Sequence, residues 1–585
     1  MNKVSDRILV LDGSTSYDKE IVGGKGASIA RMRALGLPVP PAFVIPIEEC
    51  RRFHAGDGTL DDAVWEAVRK GIAGLERDTG RRLGDPEAPL LVSVRSGAAV
   101  SMPGMMDTIL NLGITDAVEE GLGRLSGDAD FARETHVRFV HEFGSTVLGA
   151  DIDPPGDAAT AAEVRAEVRG DTGEDVPTDP LEQLCAAVLA VFRSWSSRRA
   201  IAYRRHWGIP EDGGTAVVVQ AMVFGNLGSD SGTGVLFTRD PLTGSSEAFG
   251  DWLPGGQGED VVAGTHDPLP LSAFHDELPE AHDELIEAGR LLERENGDVQ
   301  DIEFTVERGR LYLLQTRAAK RSPLSAVRTA VELAQEGAID HATALARITP
   351  DQLERVLAPL LKDEVTAGAE VLASGTPACP GVASGRVVAH SDDAELADDD
   401  VVLARPTTSP EDVAGMIGAR AVVTERGGAT SHAAVVTRAL GRPSVVGVGE
   451  NVTAGWTGRQ VTVDGSKGVV YAGRLETAGV PIEDIPGLEL LLGWARELSP
   501  VEVVEADGDD VLDLDAAGLT VAPDAVADAE RLAERMRGAT AVKGSVLSTA
   551  EGAAAVVRAG VQRVVALPGQ RAATLLLRLV QARRP

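Results

Sequence analysis

The stretch QDIEFTVERGRLYLLQTR, Gln300 to Arg317, decides how the first half of the chain is read. Asp301–Val306 and Arg310–Gln315 read as two strands of a hairpin, with the turn at Glu307-Arg308-Gly309. In a strand, residues two apart face the same side, so Asp301 and Glu303 share a face and present oxygen donors suited to Mg²⁺. Gln315 and Arg317 share a face of the partner strand, where they could polarise or clamp a nucleotide. The competing reading is an exposed edge with alternating charge, but carboxylates flanking Ile302 in an apolar strand favour a site.

Upstream, Gly23-Gly24-Lys25-Gly26 is not a Walker A loop, which needs Ser or Thr directly after the lysine. Glycines around a lysine still let backbone approach a phosphate, with the ammonium as a point charge. A flexible turn with a solvated lysine is the plain alternative. Pro89–Val94 reads as a buried strand, with Arg95 just past it, placed to clamp phosphates through its forked donors. The run Pro103-Gly104-Met105-Met106-Asp107 has the composition of a loop that closes over a ligand; a surface arginine and a hairpin are the alternative. Downstream, the strand Ala421–Thr424 leads through Gly427-Gly428 and Thr430-Ser431 to His432, which opens an apolar helix. A helix N-terminus disfavours protonation, keeping the imidazole a neutral nucleophile, and its amides stabilise an attached phosphoryl group. A lone histidine is more often structural; this setting reverses that.

Around these motifs, 585 residues suggest three or four domains. Hydrophobic residues make up 43%, enough to bury cores. A net charge of −33 opposes binding to nucleic acid or anionic membranes. Three cysteines are too few and scattered for a disulfide framework or zinc site. The N-terminus lacks a signal-peptide core and no apolar run is long enough for a membrane span, so a cytoplasmic location is expected. Asp116 to about Arg204 reads as helical, with a loop from Asp151 to Pro180. Ser322–Gly375 reads as an amphipathic helical linker, Pro380–Gly473 as a Val-rich compact α/β unit, and Ile482–Pro585 as a last region of strands and two helical runs.

Together these segments resemble the pyruvate phosphate dikinase family. The resemblance is carried by IVGGKGASIARMRALGLPVPPAF (21–43), LVSVRSGAAVSMPGMMDTILNLG (91–113), SGTGVLFTRDPLTG (231–244), GQGEDVVAG (256–264) and the hairpin, then by PGVASGRVV (380–388), ARPTTSPEDVAGM (404–416) and TERGGATSHAAVVTRALGRPSVVG (424–447). It implies an α/β and α+β multidomain fold: an ATP-grasp domain over 1–320 with a helical insertion at about 115–205, a helical linker over 321–375, a swivelling phosphohistidine β/β/α domain over 376–475, and a small α/β tail over 480–585. It implies that Lys25 and Arg95 hold ATP phosphates, Gly104 and Thr233 lie in loops over the triphosphate, and Glu259 sits near the nucleoside. Asp301 and Glu303 would bind Mg²⁺, Gln315 and Arg317 would orient the transferring group, and His432 would accept it. In the family, ATP gives a pyrophosphoryl group to the histidine and inorganic phosphate takes the terminal phosphate, leaving phosphohistidine, AMP and pyrophosphate. The histidine domain swivels between distant sites, with hinges at 322–375 and after Gly473. Thr430 matches a position modified by a regulatory kinase in some members.

A full member continues into a phosphoenolpyruvate- and pyruvate-binding barrel, which needs ~250 residues. About a hundred residues follow Gly473 here, with no barrel motif and no cysteine after Cys379. The expected function is therefore ATP-dependent phosphorylation of His432, with pyruvate on a separate barrel protein, or another small molecule, as acceptor. The alternative is a nucleotide-sensing or regulatory protein that retains the fold; intact Lys25, Asp301, Glu303 and His432 argue against it. Family dimers rest partly on the barrel, so the oligomeric state stays open between monomer and homodimer.

Overall fold

The computed structural model describes residues 7–100, 102, 106, 108–156, 158–258, 260, 268–505, 511–517, 519, 525–567 and 570–583. Mixed α/β structure runs throughout, arranged around several sheets.

Two five-stranded antiparallel sheets build the first half. One runs in the order Leu9–Val10, Ala42–Ile45, Thr215–Ala221, Val92–Ala98, Thr108–Leu112. The other runs Leu269–Pro270, Phe249–Pro254, Gly232–Phe237, Gln300–Glu307, Arg310–Ala318. Val44, Ala216 and Val218 of the first share a core with Trp252, Ile302, Phe304 and Leu313 of the second. The central strand Thr215–Ala221 is buried at every residue, as a strand covered on both faces must be. The hairpin turns on two residues with positive φ, Arg308 (50°) and Gly309 (72°), the backbone that matches strand twist in a tight hairpin.

Helices fill the stretch between the strands Thr108–Leu112 and Thr215–Ala221. Their starts are written in side chains: Thr115 accepts from Val118 N, Asp128 from Phe131 N, and Asp179 from Leu181 N and Glu182 N, each satisfying an amide the helix leaves free. The loop expected from Asp151 to Pro180 instead contains the helix Ala161–Thr172, opened by a capping box between Thr160 and Glu163. Its buried Ala161, Val164 and Val168 supply the packing that its polar composition concealed.

The connecting stretch is helical over most of its length. The helices Pro323–Gln335, His341–Arg347 and Pro350–Val356 and the short helix Asp363–Thr366 make it up, interrupted by Gly337 in left-handed backbone and by Pro350 at a helix start; the strands Leu360–Leu361 and Val371–Ser374 fall at its far end. Next comes an eight-stranded mixed sheet ordered Val371–Ser374, Val469–Ala472, Gln460–Asp464, Val382–Val388, Val401–Arg405, Ala421–Thr424, Ser444–Val446, Thr376–Cys379. The segments entering and leaving it pair with each other, Leu360–Leu361 against Thr477–Ala478.

The last region holds a four-stranded parallel sheet, Glu502–Val504, Arg563–Val565, Ala541–Lys543, Val511–Asp513. It does not hang free. Leu488, Leu491, Leu492, Leu576 and Leu577 pack on Val327, Val331, Leu345 and Leu353 of the connecting helices. Gln581 Nε2 donates to the carbonyls of Leu345 (3.0 Å) and Ile348 (2.7 Å). Among the described residues, no helix is long and apolar enough to cross a membrane.

Candidate active site

A cleft of about 1200 Å³ opens between the two five-stranded sheets and the eight-stranded unit. The helix Lys19–Ala34 forms one wall. It breaks at Gly23, where φ is 72°. A Cβ there would stand 1.8 Å from the Gly97 carbonyl oxygen, so only glycine lets this turn lie against the strand Val92–Ala98. That close approach delivers Lys25 into the cleft beside Gly97 and Ala98. Burial, with Arg95 and Arg317 nearby, lowers the Lys25 ammonium to about 7, against the pull of Glu303. The groups that depress it are those that make the site attractive to polyanions.

Opposite, the hairpin register pairs Asp301 with Arg317 and Glu303 with Gln315 directly across the strands. All four line the cleft, and a register irregularity follows at Glu303/Phe304. Arg317 Nε lies 2.8 Å from Asp301 Oδ2, and Arg95 donates to Glu303 Oε2 at 3.0 Å. Arg95 lies within the strand Val92–Ala98 rather than just past it; like Thr233 it is not among the residues lining the cleft, and it meets the site through Glu303. Burial raises the Asp301 carboxyl despite Arg317. Burial also works to raise Glu303, but Arg95, Arg317 and Lys25 outweigh it and hold that carboxyl below its ordinary value.

Asp301 Oδ1 and Gln315 Oε1 are buried oxygens without a hydrogen-bond partner among the described residues. Such atoms are costly unless something supplies the missing charge or donor. Two carboxylates and an amide oxygen form the hard donor set that Mg²⁺ takes, so the residues fit that ion.

Thr233 differs from expectation. It lies within the strand Gly232–Phe237, not in a loop, and its hydroxyl donates to the Phe304 carbonyl at 2.9 Å. It is not among the residues lining the cleft. Gly104 and Glu259 fall outside the described residues; Met102 and Met106, from the same run as Gly104, line the cleft.

The remaining wall comes from the eight-stranded unit. His432 begins the helix His432–Leu440 and lines the same cleft, with Thr407, Thr408, Ser409 and Thr430. Its Nδ1 is 3.2 Å from Thr408 Oγ1, while Nε2 is buried with no partner among the described residues. A tautomer whose Nδ1–H donates to Thr408 leaves the Nε2 lone pair free. Burial lowers the imidazole to about 4, opposed by Asp412. Neutrality was expected from the helix N-terminus; desolvation is the larger cause.

Two contacts holding this wall in place were not anticipated. Thr430 donates from N (3.2 Å) and from Oγ1 to Asp251 Oδ2 on the strand Phe249–Pro254. Arg438, six residues beyond His432, is fully buried, donates to Ala429 O at 2.7 Å, and stacks its guanidinium 5.5 Å from the Phe237 ring. An arginine on the helix that His432 opens was the available signal, but its partner is close only in three dimensions.

Comparison with known proteins follows the same division. Residues 19–279 match the family description "Pyruvate phosphate dikinase, AMP/ATP-binding domain". Residues 397–468 match "PEP-utilising enzyme, mobile domain". Among curated proteins the chain is similar to pyruvate, phosphate dikinase 1 of Oryza sativa subsp. japonica, 41% identical over 523 residues, covering 83% of this chain and 55% of the relative. It is 42% identical over 510 residues to pyruvate, phosphate dikinase of Rhizobium meliloti, covering 79% and 57%. It is 39% identical over 530 residues to that of Clostridium symbiosum, covering 84% and 60%. The chain thus matches little more than half the length of these relatives.

Proposed function

The chain belongs to the pyruvate phosphate dikinase family, and on that premise we propose that it phosphorylates its own His432 from ATP. One observation carries the reading. His432 projects from a separate sheet unit into the cleft that holds Lys25, Asp301, Glu303, Gln315 and Arg317, with its Nε2 buried and unpaired.

We assign 1–320 as an ATP-grasp nucleotide-binding domain, 321–375 as the connection, 376–475 as the phosphohistidine domain and 480–585 as an α/β tail. Lys25 and Arg95 neutralise and hold the triphosphate. Asp301, Glu303 and Gln315 hold Mg²⁺, which when bound supplies charge neutralisation and a template for the phosphates. The Nε2 lone pair of His432 attacks the β-phosphorus in line. A nitrogen–phosphorus bond forms, the bond to the oxygen bridging the α- and β-phosphorus breaks, and AMP departs. Thr408 keeps the proton on Nδ1, and Arg317 faces the charge developing on the transferring group. An oxygen of inorganic phosphate then attacks the terminal phosphorus, the bridge between the two phosphoryl groups breaks, and pyrophosphate leaves phosphohistidine behind. The phosphoryl group passes onward to pyruvate or another small-molecule acceptor.

Exchange of the histidine between sites requires the eight-stranded unit to leave the cleft. The paired segments Leu360–Leu361 and Thr477–Ala478 and the stretch leading from Val356 are the hinge in this reading. The test is product identity: mixing the protein with Mg²⁺ and ATP, without phosphate, should release one equivalent of AMP. Release of ADP, or AMP release that survives His432→Ala, would overturn the reading.

A further inference from the structure

The helical pair behind Trp252 carries a cluster that this function does not use. One imidazole nitrogen each from His275 and His282 and a carboxylate oxygen of Asp283 lie within 4.8 Å of one another. His275 sits on the helix Leu271–Glu277 and His282 and Asp283 on the helix Pro279–Asn296. The corner at Leu278 turns residues seven apart toward each other, so the two rings meet edge to face with centroids 4.9 Å apart. Two of the chain's ten histidines are brought together here, on a surface otherwise dominated by carboxylates.

We propose that His275, His282 and Asp283 form a binding site for a borderline divalent transition metal of the Zn²⁺ class. Two imidazoles and one carboxylate suit Zn²⁺, Co²⁺, Ni²⁺ or Cu²⁺, whereas Mg²⁺ prefers oxygen donors and water. Bonds of about 2.1 Å hold donor atoms no more than about 4.2 Å apart; His275, half exposed at its side chain, closes the remaining gap by rotating. Asp276 Oδ1 lies 3.7 Å from His275 Nδ1, and such a carboxylate orients a metal-bound imidazole; Asp283 Oδ1 lies 3.2 Å from His282 Nδ1, a contact the ion would take over. Three protein donors leave the other positions to water.

The site has a physical route into the fold. His282 packs edge-on against Phe274, which stacks on Trp252 at 4.4 Å and on Phe304 at 5.2 Å. Trp252 and Phe304 belong to the strands that carry Asp251 and Glu303. A metal bridging the two helices pins this support from outside, at residues that do not line the cleft.

Zn²⁺ titration of the full chain, competed against a chromophoric chelator in excess Mg²⁺, tests the proposal. One site is expected in the unmutated protein. His275→Ala/His282→Ala should weaken it by at least about tenfold, and Asp301→Asn should leave it unchanged. Zn²⁺ should raise the unfolding temperature of the unmutated protein and not of the double variant. A second readout needs no variant: substoichiometric Co²⁺ should broaden the imidazole resonances of His275 and His282 before those of other histidines. Absence of a Zn²⁺ site, its loss with Asp301→Asn instead, or preferential broadening of His432 would each overturn the assignment.

Discussion

Acidification should release the phosphohistidine unit from the nucleotide cleft before it denatures the protein. In the cleft, burial holds the His432 imidazole at about 4 rather than 6.5. Released, the imidazole regains water and moves back toward its ordinary value, with its own helix N-terminus still acting on it. Because the docked value is the lower one, docking is fully favoured above about pH 6.5 and weakens as pH falls through the window from 6.5 toward 4. At about pH 5.5 a free imidazole is roughly nine-tenths protonated, whereas the docked one is still almost entirely neutral. The docking equilibrium therefore loses up to about tenfold, or ~1.4 kcal/mol, between about pH 8 and about pH 5.5. The assay is a long-range proton–nitrogen correlation of ¹⁵N-histidine-labelled protein, with His432 assigned by difference from His432→Gln. Small-angle scattering over the same range follows release of the unit. His432 titrating near 6.5 while docked, or a docked population indifferent to pH over this window, would refute the reasoning.

Three further outcomes follow from the same geometry. Gly23→Ala places a methyl 1.8 Å from the Gly97 carbonyl in left-handed backbone; it should cost ~2–5 kcal/mol in denaturant unfolding and weaken ATP binding as Lys25 is displaced. Asp251→Ala leaves the amide and hydroxyl of Thr430 without their acceptor; single-turnover phosphorylation of His432 should slow by about ten- to a hundredfold with ATP affinity unchanged, since ~1–3 kcal/mol of docking is lost. Lys25, lowered to about 7 in the nucleotide-free protein, should give kcat/KM for ATP an alkaline limb as pH rises through that value, and Lys25→Met should remove the limb along with most of the activity.

Much of the site could be read from local sequence because local rules place it. The two-residue period of a strand puts Asp301 with Glu303 and Gln315 with Arg317; the turn at Arg308-Gly309 sets the register only as far as Phe304 opposite Leu313, and the irregularity at Glu303/Phe304, which passes over Leu314, is what brings Glu303 opposite Gln315 and Asp301 opposite Arg317. His432 at a helix start after a glycine turn is equally local. The helix Ala161–Thr172 was legible in principle through Thr160 and Glu163, three apart, but the acidic, glycine- and proline-containing stretch around it reads as loop. Thr233 shows the opposite failure: the family resemblance implied a loop, while Trp252 and Phe304 packed against Gly232 and Gly234 make the segment a buried strand. The contact of Asp251 with Thr430 spans 179 residues, and the packing of Leu576 and Leu577 on the connecting helices crosses from one end of the chain toward its middle. No periodicity encodes such pairs; they exist only once separate units meet.

The central claim is that His432 takes a pyrophosphoryl group from ATP and keeps the inner phosphorus. The most direct measurement uses ATP labelled with ³²P at either the β or the γ position, with Mg²⁺, followed by acid-labile label on the protein before and after inorganic phosphate is added. The account predicts that both labels bind without phosphate, that phosphate strips the γ label as pyrophosphate while the β label stays, and that His432→Ala carries neither. Retention of γ label alone, or equal labelling of His432→Ala, would contradict it.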